Sequence, residues 1–154
     1  MVSAASPDDV QDLLSLAAEV ESWFGPMVAD PGFHTALERS IVRGTAFVVR
    51  AGSGSGLLGG LLTGGTAPIY RLNWLVVAAS ARRQGVGAAL VRHAINGFQR
   101  PCRVDVVTFG KDHPAALEGG PRVFYERLGF EPGDAAPLGP EGGARQWYHL
   151  ALPA

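Results

Sequence analysis

The chain has 154 residues, 47% of them hydrophobic and 18% charged, and this suits one domain with a sizeable core, so we expect a single domain over residues 1–154. No apolar run approaches the roughly 18 residues that a membrane helix needs, and the N-terminus lacks a basic region followed by a hydrophobic one, so we expect a cytoplasmic protein that does not bind membranes. The net charge of −1 hides an uneven distribution, because the first 38 residues hold seven acids and no lysine or arginine, whereas residues 39–104 hold nine arginines and no acid.

Two helices are predicted in the N-terminal third. The first has Ser6 as its N-cap and Pro7 at its first helical position, and it is predicted to end near Gly25. Its apolar residues recur at helical spacing: Val10, Leu13, Leu14, Ala17, Val20 and Phe24. The second helix is predicted to begin after Asp30 and to end at Gly44, with Phe33, Ala36, Leu37, Ser40 and Ile41 on one side.

Three strands are predicted next. Residues 45–51 and 57–64 flank the glycine-rich run 52–56, which is typical of a hairpin with a flexible turn. Residues 70–77 read YRLNWLVV, and this mostly apolar run predicts a strand in the middle of the sheet, buried on both faces.

The remaining elements alternate helices and strands. A helix from Val86 carries Val86, Leu90, Val91, Ala94, Ile95 and Phe98 on one half. A strand is predicted over 103–109, a short helix over Pro121–Leu128 closed by Gly129, a strand from Phe130, a loop over 132–143 and a last strand over 145–152. The lone Cys102 is predicted to be a small buried residue, and the sequence contains no histidine pair or Cys-x-x-Cys spacing for a metal. The order indicates an α+β fold with one helix crossing over from a central strand.

The stretch SARRQGVGAAL, residues 80–90, places two arginines and two glycines at the start of a predicted helix. Such a helix leaves its first N–H groups bare, so the stretch is either a phosphate cradle or an ordinary turn. A dinucleotide fold is disfavoured, because the glycines do not continue as G-x-G-x-x-G and the first downstream acid is Asp105. A Walker loop is disfavoured because no Gly-Lys-Ser or Gly-Lys-Thr follows.

Two segments together resemble the GNAT superfamily of N-acetyltransferases. The family signature Arg/Gln-x-x-Gly-x-Gly/Ala is met by Arg82, Gly85 and Gly87, and VFYERLGF at 123–130 resembles the family's later helix and strand. The resemblance covers roughly residues 44–152. It implies a mixed, mostly antiparallel twisted sheet of six or seven strands flanked by about four helices.

The resemblance also implies acetyl-CoA as the acyl donor and CoA as the product. The matching contacts to the coenzyme are Leu75, Val76, Val77, Arg82, Arg83, Gln84, Gly85, Val86, Gly87 and Ala88. Bare N–H groups from about Arg83 to Ala88 would bond the pyrophosphate, and two glycines without a Cβ would let the backbone approach it. The strand 75–77 would pair with the pantetheine arm, and a backbone N–H near Val77 would polarise the thioester carbonyl, which is worth about 3 kcal/mol for comparable donors.

Tyr125 matches the family tyrosine that commonly protonates the departing thiolate, a task that a phenol with a pKa near 10 suits. Without the resemblance, Tyr125 would more often be an ordinary core aromatic. The sequence departs from the family pattern at two places near the start of this helix. His113 and Glu118 lie where relatives often carry an asparagine, and Pro121 stands where a small residue is usual.

The general base stays open at this point. Many relatives use a glutamate near the central strands, but residues 39–104 contain no carboxylate. Candidates are Glu38 or His34 on the second helix, Asp105 on a later strand, or a water bound to one of them, and Glu21 lies on the helix that usually shapes the acceptor cleft.

The acceptor is expected to be a small-molecule or peptide amine. The acidic N-terminal third and the aromatic pair Trp23 and Phe24 would suit a cationic amine, although both residues also fit a core edge. The arginines are scattered without an aromatic-rich motif, so no nucleic acid is expected, while a homodimer is compatible with the sequence. The alternative function is a non-catalytic acyl-CoA-binding sensor or regulatory module.

Overall fold

The computed structural model describes residues 1–21, 26–52, 56–110, 120–139 and 143–154. These residues form seven strands, four α-helices and two short 3-10 helices, Pro7–Asp9 and Ala79–Ala81. In chain order the strands and α-helices are β1 (Val2–Ala4), α1 (Val10–Ala18), α2 (Pro31–Arg43), β2 (Ala46–Arg50), β3 (Leu57–Thr66), β4 (Ile69–Val77), α3 (Val86–Asn96), β5 (Cys102–Phe109), α4 (Pro121–Arg127), β6 (Glu131–Ala136) and β7 (Arg145–Leu152).

The first helix is shorter than its apolar spacing predicts. Ser6 and Asp9 form a capping box before α1, as the N-cap prediction requires, but α1 ends at Ala18 rather than near Gly25. The N–H groups of Glu19 and Val20 bond to carbonyls three residues earlier, at 3.2 and 3.1 Å. Such i→i−3 bonds tighten the last turn and end the α-helical ladder. Phe24 and Gly25 lie outside the described residues.

The second helix has the caps that the sequence predicts. The Asp30 carboxylate accepts the N–H of Gly32 at 3.0 Å, and Pro31 occupies the first turn. Gly44 ends α2 with φ 73°, in the left-handed region that glycine adopts without a Cβ penalty. Leu37 is buried, so the apolar side of α2 faces the core at this position.

The sheet has the order β1-β2-β3-β4-β5-β7-β6, with β4 at its centre. Strand β2 pairs antiparallel with β1 and with β3, which confirms the hairpin around 52–56, although residues 53–55 lie outside the described part. Strand β4 pairs parallel with β5, from Ile69 opposite Arg103 to Leu72 opposite Val106. Strand β7 pairs antiparallel with both β5 and β6. The predicted α+β class and the mixed, mostly antiparallel sheet are confirmed.

Two predictions about burial and strand ends are wrong. Strand β4 is not buried on both faces, because only Leu72 and Val76 of its nine residues are buried and the polar side chains Arg71 and Asn73 are exposed. The predicted loop 132–143 begins too early, because β6 continues to Ala136. Proline at 132 is tolerated there since β6 is an edge strand with a register shift between Pro132 and Ala135.

The chain divides into two compact units. The described residues of the first unit are 1–21, 26–52, 56–64 and 73–97, and those of the second are 65–72, 98–110, 120–139 and 143–154. Each has its own buried side chains. In the first unit these include Leu13, Leu37, Val48, Leu61, Leu90 and Val91, and in the second Val104, Phe109 and Tyr148. Cys102 is buried as a free thiol, as predicted. Among the described helices, none is long and apolar enough to cross a membrane.

Candidate functional site

The predicted coenzyme contacts follow one another along a strand, a turn and a helix of the first unit. Strand β4 ends at Val77, the 3-10 turn Ala79–Ala81 follows, and α3 begins at Val86. We call residues 82–85 between them the glycine turn. The predicted contacts in this segment are Leu75, Val76, Val77, Arg82, Arg83, Gln84, Gly85, Val86, Gly87 and Ala88.

Helix α3 begins without a side-chain cap. Its N-cap residue is Gly85, and no side chain bonds to the first turn, whereas α2 is capped by Asp30. The N–H of Ala89 donates to the Gly85 carbonyl at 3.0 Å, which is the first hydrogen bond of the helix. The N–H groups of the three residues before Ala89 therefore have no acceptor within the helix. This helix end therefore offers N–H donors at the positive end of the helix dipole.

Gly85 adopts φ 82° and has open space where a side chain would begin. A Cβ built on Gly85 meets no atom within 4 Å, so the glycine is required by its backbone conformation and not by crowding within the protein. The free space and the bare donors together are what an approaching diphosphate needs.

The side chains of the glycine turn are exposed. Arg82, Arg83 and Gln84 all lie on the surface, and the Gln84 amide donates to the Ser80 carbonyl at 3.3 Å. Arg83 has φ 64°, which is uncommon for a residue with a Cβ. The glycine turn thus contains two residues with positive φ: Gly85, for which this conformation is favourable, and Arg83, for which it is unfavourable.

A break in side-chain alternation precedes this segment in β4. A Cβ on Gly60 would approach the Trp74 ring at 3.2 Å, and a Cβ on Gly64 would approach the Asn73 amide at 2.7 Å. Gly60 and Gly64 lie four residues apart on β3, so their Cβ positions point to the same face of the sheet. The Trp74 and Asn73 side chains lie beside those two positions, so they share that face although the two residues are consecutive. This is the signature of a β-bulge, which redirects the backbone that follows it.

The bulge determines which way the next backbone groups of β4 point. The N–H of Ala78 donates to the Leu58 carbonyl at 2.8 Å, so Ala78 faces β3. Because backbone groups alternate along a strand, the N–H groups of Leu75 and Val77 point away from β3. The described parallel pairing of β4 with β5 ends earlier, at Leu72. Among the described residues, neither N–H group therefore lies within the register that pairs β4 with β5.

Glu19 is a residue of this region that the sequence analysis did not single out. Its carboxylate accepts the N–H of Ala79 at 2.9 Å, across 60 residues of sequence. The bond joins the end of the first helical segment to the backbone just before the glycine turn. Only the tertiary fold brings the two residues together, so sequence spacing could not indicate it.

Tyr125 lies on α4 in the second unit, as predicted, and its side chain is buried. Its ring makes edge contacts with Phe124 and Phe130 at centroid distances of 5.0 and 5.5 Å. Burial raises the pKa of the Tyr125 phenol above its ordinary value, so the hydroxyl stays protonated throughout the physiological range. It is a proton and hydrogen-bond donor, and the assignment as an acid remains a prediction.

Three of the candidate bases lie in the N-terminal helical region, and they differ in hydrogen bonding and exposure. Backbone N–H groups of Met27 and Val28 donate to the Glu21 carboxylate at 2.6 and 3.0 Å and lower the pKa of Glu21, so it is occupied as a cap. The ring nitrogen Nε2 of His34 contacts the Val28 carbonyl and acts as a donor there. Glu38 is exposed on α2. Trp23, His113 and Glu118 lie outside the described residues.

Asp105 is held by two partners in the second unit. Arg103 donates to both of its oxygens at 2.7 and 2.9 Å, and the Nδ1 of His149 lies 2.6 Å from Oδ1. Burial disfavours the charged form, but the hydrogen bonds from Arg103 and His149 outweigh it and hold the pKa of Asp105 below its ordinary value. A carboxylate with both oxygens engaged and a lowered pKa is a poor proton acceptor.

His149 is the member of this group that sequence reasoning missed. The antiparallel register of β5 and β7 places His149 opposite Asp105, so the two side chains meet on one face. The only sequence signal is a histidine within a predicted strand, and register across strands cannot be obtained from spacing along one strand.

Comparison with known proteins supports the resemblance found in the sequence. Residues 38–132 match the family model described as Acetyltransferase (GNAT) domain. No curated protein matches the chain in sequence.

Several solved structures are similar in fold over the whole chain. Ard1 from Thermoplasma volcanium has a TM-score of 0.75 and 17% identity, covering 100% of this chain and 98% of that chain. The ribosomal-protein-alanine N-acetyltransferase from Brucella melitensis has a TM-score of 0.73 and 18% identity, covering 99% of both chains. The NatC complex bound to Gag peptide and CoA has a TM-score of 0.72 and 16% identity, covering 99% of this chain and 98% of that chain. At these identities the likeness concerns the fold alone.

Proposed function

The chain belongs to the GNAT family of acetyltransferases, and on that premise we propose that it transfers an acetyl group from acetyl-CoA to a primary amine. The amine attacks directly while both substrates are bound, and CoA is released. The observation that carries the proposal is the uncapped start of α3, where Gly85 in the left-handed conformation leaves open space beside bare N–H donors.

The glycine turn and the start of α3 are proposed to hold the diphosphate of the coenzyme. The donors are the backbone N–H groups from Arg83 to Ala88, while Arg82 and Arg83 add positive charge from the surface. Val77 and Leu75, whose N–H groups point away from β3, are proposed to pair with the pantetheine arm as a neighbouring strand would. The backbone thus supplies most of the contacts.

The thioester supplies an acetyl group that is activated toward attack by nitrogen. In the transfer a C–N bond forms to the acetyl carbon, the attacking nitrogen loses one proton to water, and the C–S bond breaks with its electron pair on sulfur. The N–H of Val77 is proposed to stabilise the negative charge that develops on the carbonyl oxygen. Tyr125 is proposed to donate its phenolic proton to the sulfur, and solvent restores that proton after CoA leaves. Because burial raises the pKa of Tyr125, the phenol is protonated at the start of each turnover.

The acceptor is proposed to be a small-molecule or peptide amine. The names of two neighbours specify acetylation of a ribosomal-protein alanine and binding of a peptide, so a peptide α-amine is the first acceptor to test. Cytoplasmic location, the absence of nucleic-acid and membrane partners, and a homodimer are part of the same proposal.

The second candidate is an acyl-CoA-binding module without catalysis. It is favoured by the engagement of Glu21 and Asp105, since both carboxylates already serve as hydrogen-bond acceptors within the fold. The two candidates share the coenzyme site and differ in whether CoA is released when an amine is added.

Calorimetric titration with acetyl-CoA, CoA and NADH tests the coenzyme class. We expect the first two to bind and NADH to give no heat, because NADH shares the diphosphate but has no pantetheine arm to pair with β4. Binding of NADH as tight as that of CoA, or no binding of acetyl-CoA, contradicts the proposal.

A further inference from the structure

The end of α1 is bonded to the short segment between β4 and the glycine turn. This connecting segment, residues 78–81, follows Val77 directly and precedes Arg82. The Glu19 carboxylate accepts the N–H of Ala79 through Oε1 at 2.9 Å, although 60 residues separate the two in sequence. Glu19 and Ala79 both belong to the first unit, so the contact lies within one compact body.

A negative charge at position 19 is unfavourable for the helix that carries it. Glu19 follows the last residue of α1, and the last turn of that helix contains no basic residue. The carboxyl end of a helix carries partial negative charge, so a carboxylate there is repelled. The Glu19 side chain is also exposed, so packing contributes little to its placement. The bond to Ala79 is the contact that accounts for an acid at this position.

The 3-10 turn Ala79–Ala81 has no side-chain cap of its own. Its N-cap residue is Ala78, whose methyl group cannot accept a hydrogen bond. The N–H of Ala81 donates to the Ala78 carbonyl at 2.9 Å, and this bond closes the turn without using the N–H of Ala79. Glu19 therefore supplies, from a distant part of the chain, the acceptor that a serine or aspartate N-cap would supply locally.

Two consecutive N–H groups of the connecting segment are held by different elements. The N–H of Ala78 donates to the Leu58 carbonyl of β3 at 2.8 Å, which fixes the end of β4 to the sheet. The N–H of Ala79 donates to Glu19, which fixes the start of the 3-10 turn to the end of α1. The direction in which the chain leaves β4 and enters the glycine turn is therefore set at these two residues.

We propose that Glu19 is a positioning residue of the coenzyme site. Its bond to Ala79 holds the end of β4 and the glycine turn in the relative orientation at which one coenzyme molecule contacts both. This inference rests on the proposed function, in which β4 pairs with the pantetheine arm and the glycine turn binds the diphosphate. The two parts of the ligand are covalently linked, so their contacts reinforce each other only when the two binding segments are correctly spaced.

The sign of the effect separates positioning from simple electrostatics. The coenzyme diphosphate is negative, so removal of a carboxylate close to the glycine turn would, by charge alone, leave the affinity unchanged or increase it. Removal of a positioning bond should weaken binding. We therefore expect Glu19→Ala to raise the Kd for acetyl-CoA by about five- to tenfold, the range that loss of one hydrogen bond covers.

Ala79→Pro removes the donor of the same bond. Proline has no N–H and is tolerated at the first position of a helical turn. Ala78 has φ −54° and ψ 141°, a conformation that suits a residue before proline. We expect Ala79→Pro to weaken acetyl-CoA binding as Glu19→Ala does, and the double variant to lose no more than either single change. Losses that add in full would show that the two residues act independently, and they would overturn the proposal.

Two control variants separate the bond from the charge and from folding. Glu19→Gln keeps a side-chain oxygen for the Ala79 N–H and removes the charge, so its Kd should stay within about twofold of the wild type. Asp12→Ala removes an acid from the first turn of α1 and should bind acetyl-CoA as the wild type does. Thermal unfolding checks that each variant is folded at the temperature of the titration.

Calorimetric titration of the wild type and the five variants with acetyl-CoA gives the result. If the wild type binds acetyl-CoA and Glu19→Ala binds it equally well or more tightly, the role of Glu19 is wrong while the coenzyme site stands. A Glu19→Gln variant as weak as Glu19→Ala also overturns the role, because the charge and not the bond would then matter. If the wild type binds no acetyl-CoA, the proposed function is contradicted, and the role of Glu19 with it.

Discussion

The two units of the chain present their functional groups in opposite ways. In the first unit the candidate groups are backbone N–H donors of the glycine turn and of α3, and the side chains of the glycine turn are exposed. In the second unit they are side chains, and each is held by others: Tyr125 by a cluster of rings and Asp105 by Arg103 and His149. A backbone site depends on conformation and free space, whereas a side-chain site depends on individual atoms and their pKa values.

This contrast has a direct consequence for mutation. The first unit should tolerate changes of side chain around its donors but not a Cβ on a glycine with positive φ. In the second unit, removal of a single side-chain oxygen or nitrogen should change activity or stability. Substitutions in both units therefore test that division.

Tyr125→Phe removes one oxygen from the second unit and leaves the buried ring in place. We expect kcat for acetyl transfer to fall by about 10²–10⁴-fold, because the departing sulfur loses its proton donor. The Kd for acetyl-CoA, measured by calorimetry, should remain unchanged.

Tyr148→Phe is the matched control. Its hydroxyl donates to Glu126 at 2.7 Å, and burial together with that bond raises the pKa of Tyr148 to about 12. Its loss should cost about 1 kcal/mol of stability and little activity. Equal rates for wild type and Tyr125→Phe would remove the proposed acid, and the sensor function predicts no turnover in either.

Asp105→Asn tests how far the second unit depends on its charge pair. The variant leaves Arg103 and His149 without a carboxylate, and we expect a loss of about 2 kcal/mol in the free energy of unfolding at neutral pH. The pKa of Asp105 is lower in the folded protein than in the unfolded chain. The stability that the Asp105 charge contributes is therefore fully present above the ordinary carboxyl pKa, and it is lost as pH falls through the pKa of the folded state.

Urea unfolding from pH 7 downward checks that dependence. The difference in stability between wild type and Asp105→Asn should shrink in acid, below the ordinary carboxyl pKa of the unfolded chain. A difference that stays constant down to the acid end would show that Asp105 contributes through packing and not through its charge.

Gly85→Ala tests the first unit, and Gly44→Ala is its matched control. Both glycines have positive φ, 82° and 73°, and a Cβ meets nothing within 4 Å at either place. Both variants should lose a similar amount of stability, about 1 kcal/mol, because alanine is strained in the left-handed region.

Only one of the two variants should affect the coenzyme. We expect Gly85→Ala to raise the Kd for acetyl-CoA by about tenfold, equivalent to 1.4 kcal/mol, because the methyl group occupies space proposed for the diphosphate. Gly44→Ala, at the end of α2, should bind as the wild type does. Equal affinity in both variants would show that the space beside Gly85 is not used.

Arg82→Ala should have the smallest effect. An exposed guanidinium adds little to binding when backbone donors make the contacts, so we expect the Kd to rise by about threefold or less at physiological salt. Titration at several salt concentrations checks this, since the difference from wild type should vanish as screening increases. A large loss of coenzyme affinity that persists at high salt would mean that the first unit also binds the coenzyme through its side chains.

Local signals in the sequence predicted much of the scaffold. The capping residues Asp30 and Gly44, the hairpin glycines and the helical spacing after Val86 act between near neighbours, so the elements they predict are present. The end of α1 and the burial of β4 were predicted wrongly, because a tightened turn and the polar residues on one face override apolar spacing. The motif at Arg82, Gly85 and Gly87 predicted the family, and the family model confirms it.

The glycine turn follows from local sequence, because backbone conformation at Gly85 depends on the residue itself and its immediate neighbours. Tertiary structure alone decided that His149 faces Asp105, that Gly133 leaves room for its ring, and that Glu19 bonds to Ala79. Those contacts depend on strand register and on chain segments far apart in sequence, and a shift of one residue in register would turn each strand side chain to the opposite face of the sheet.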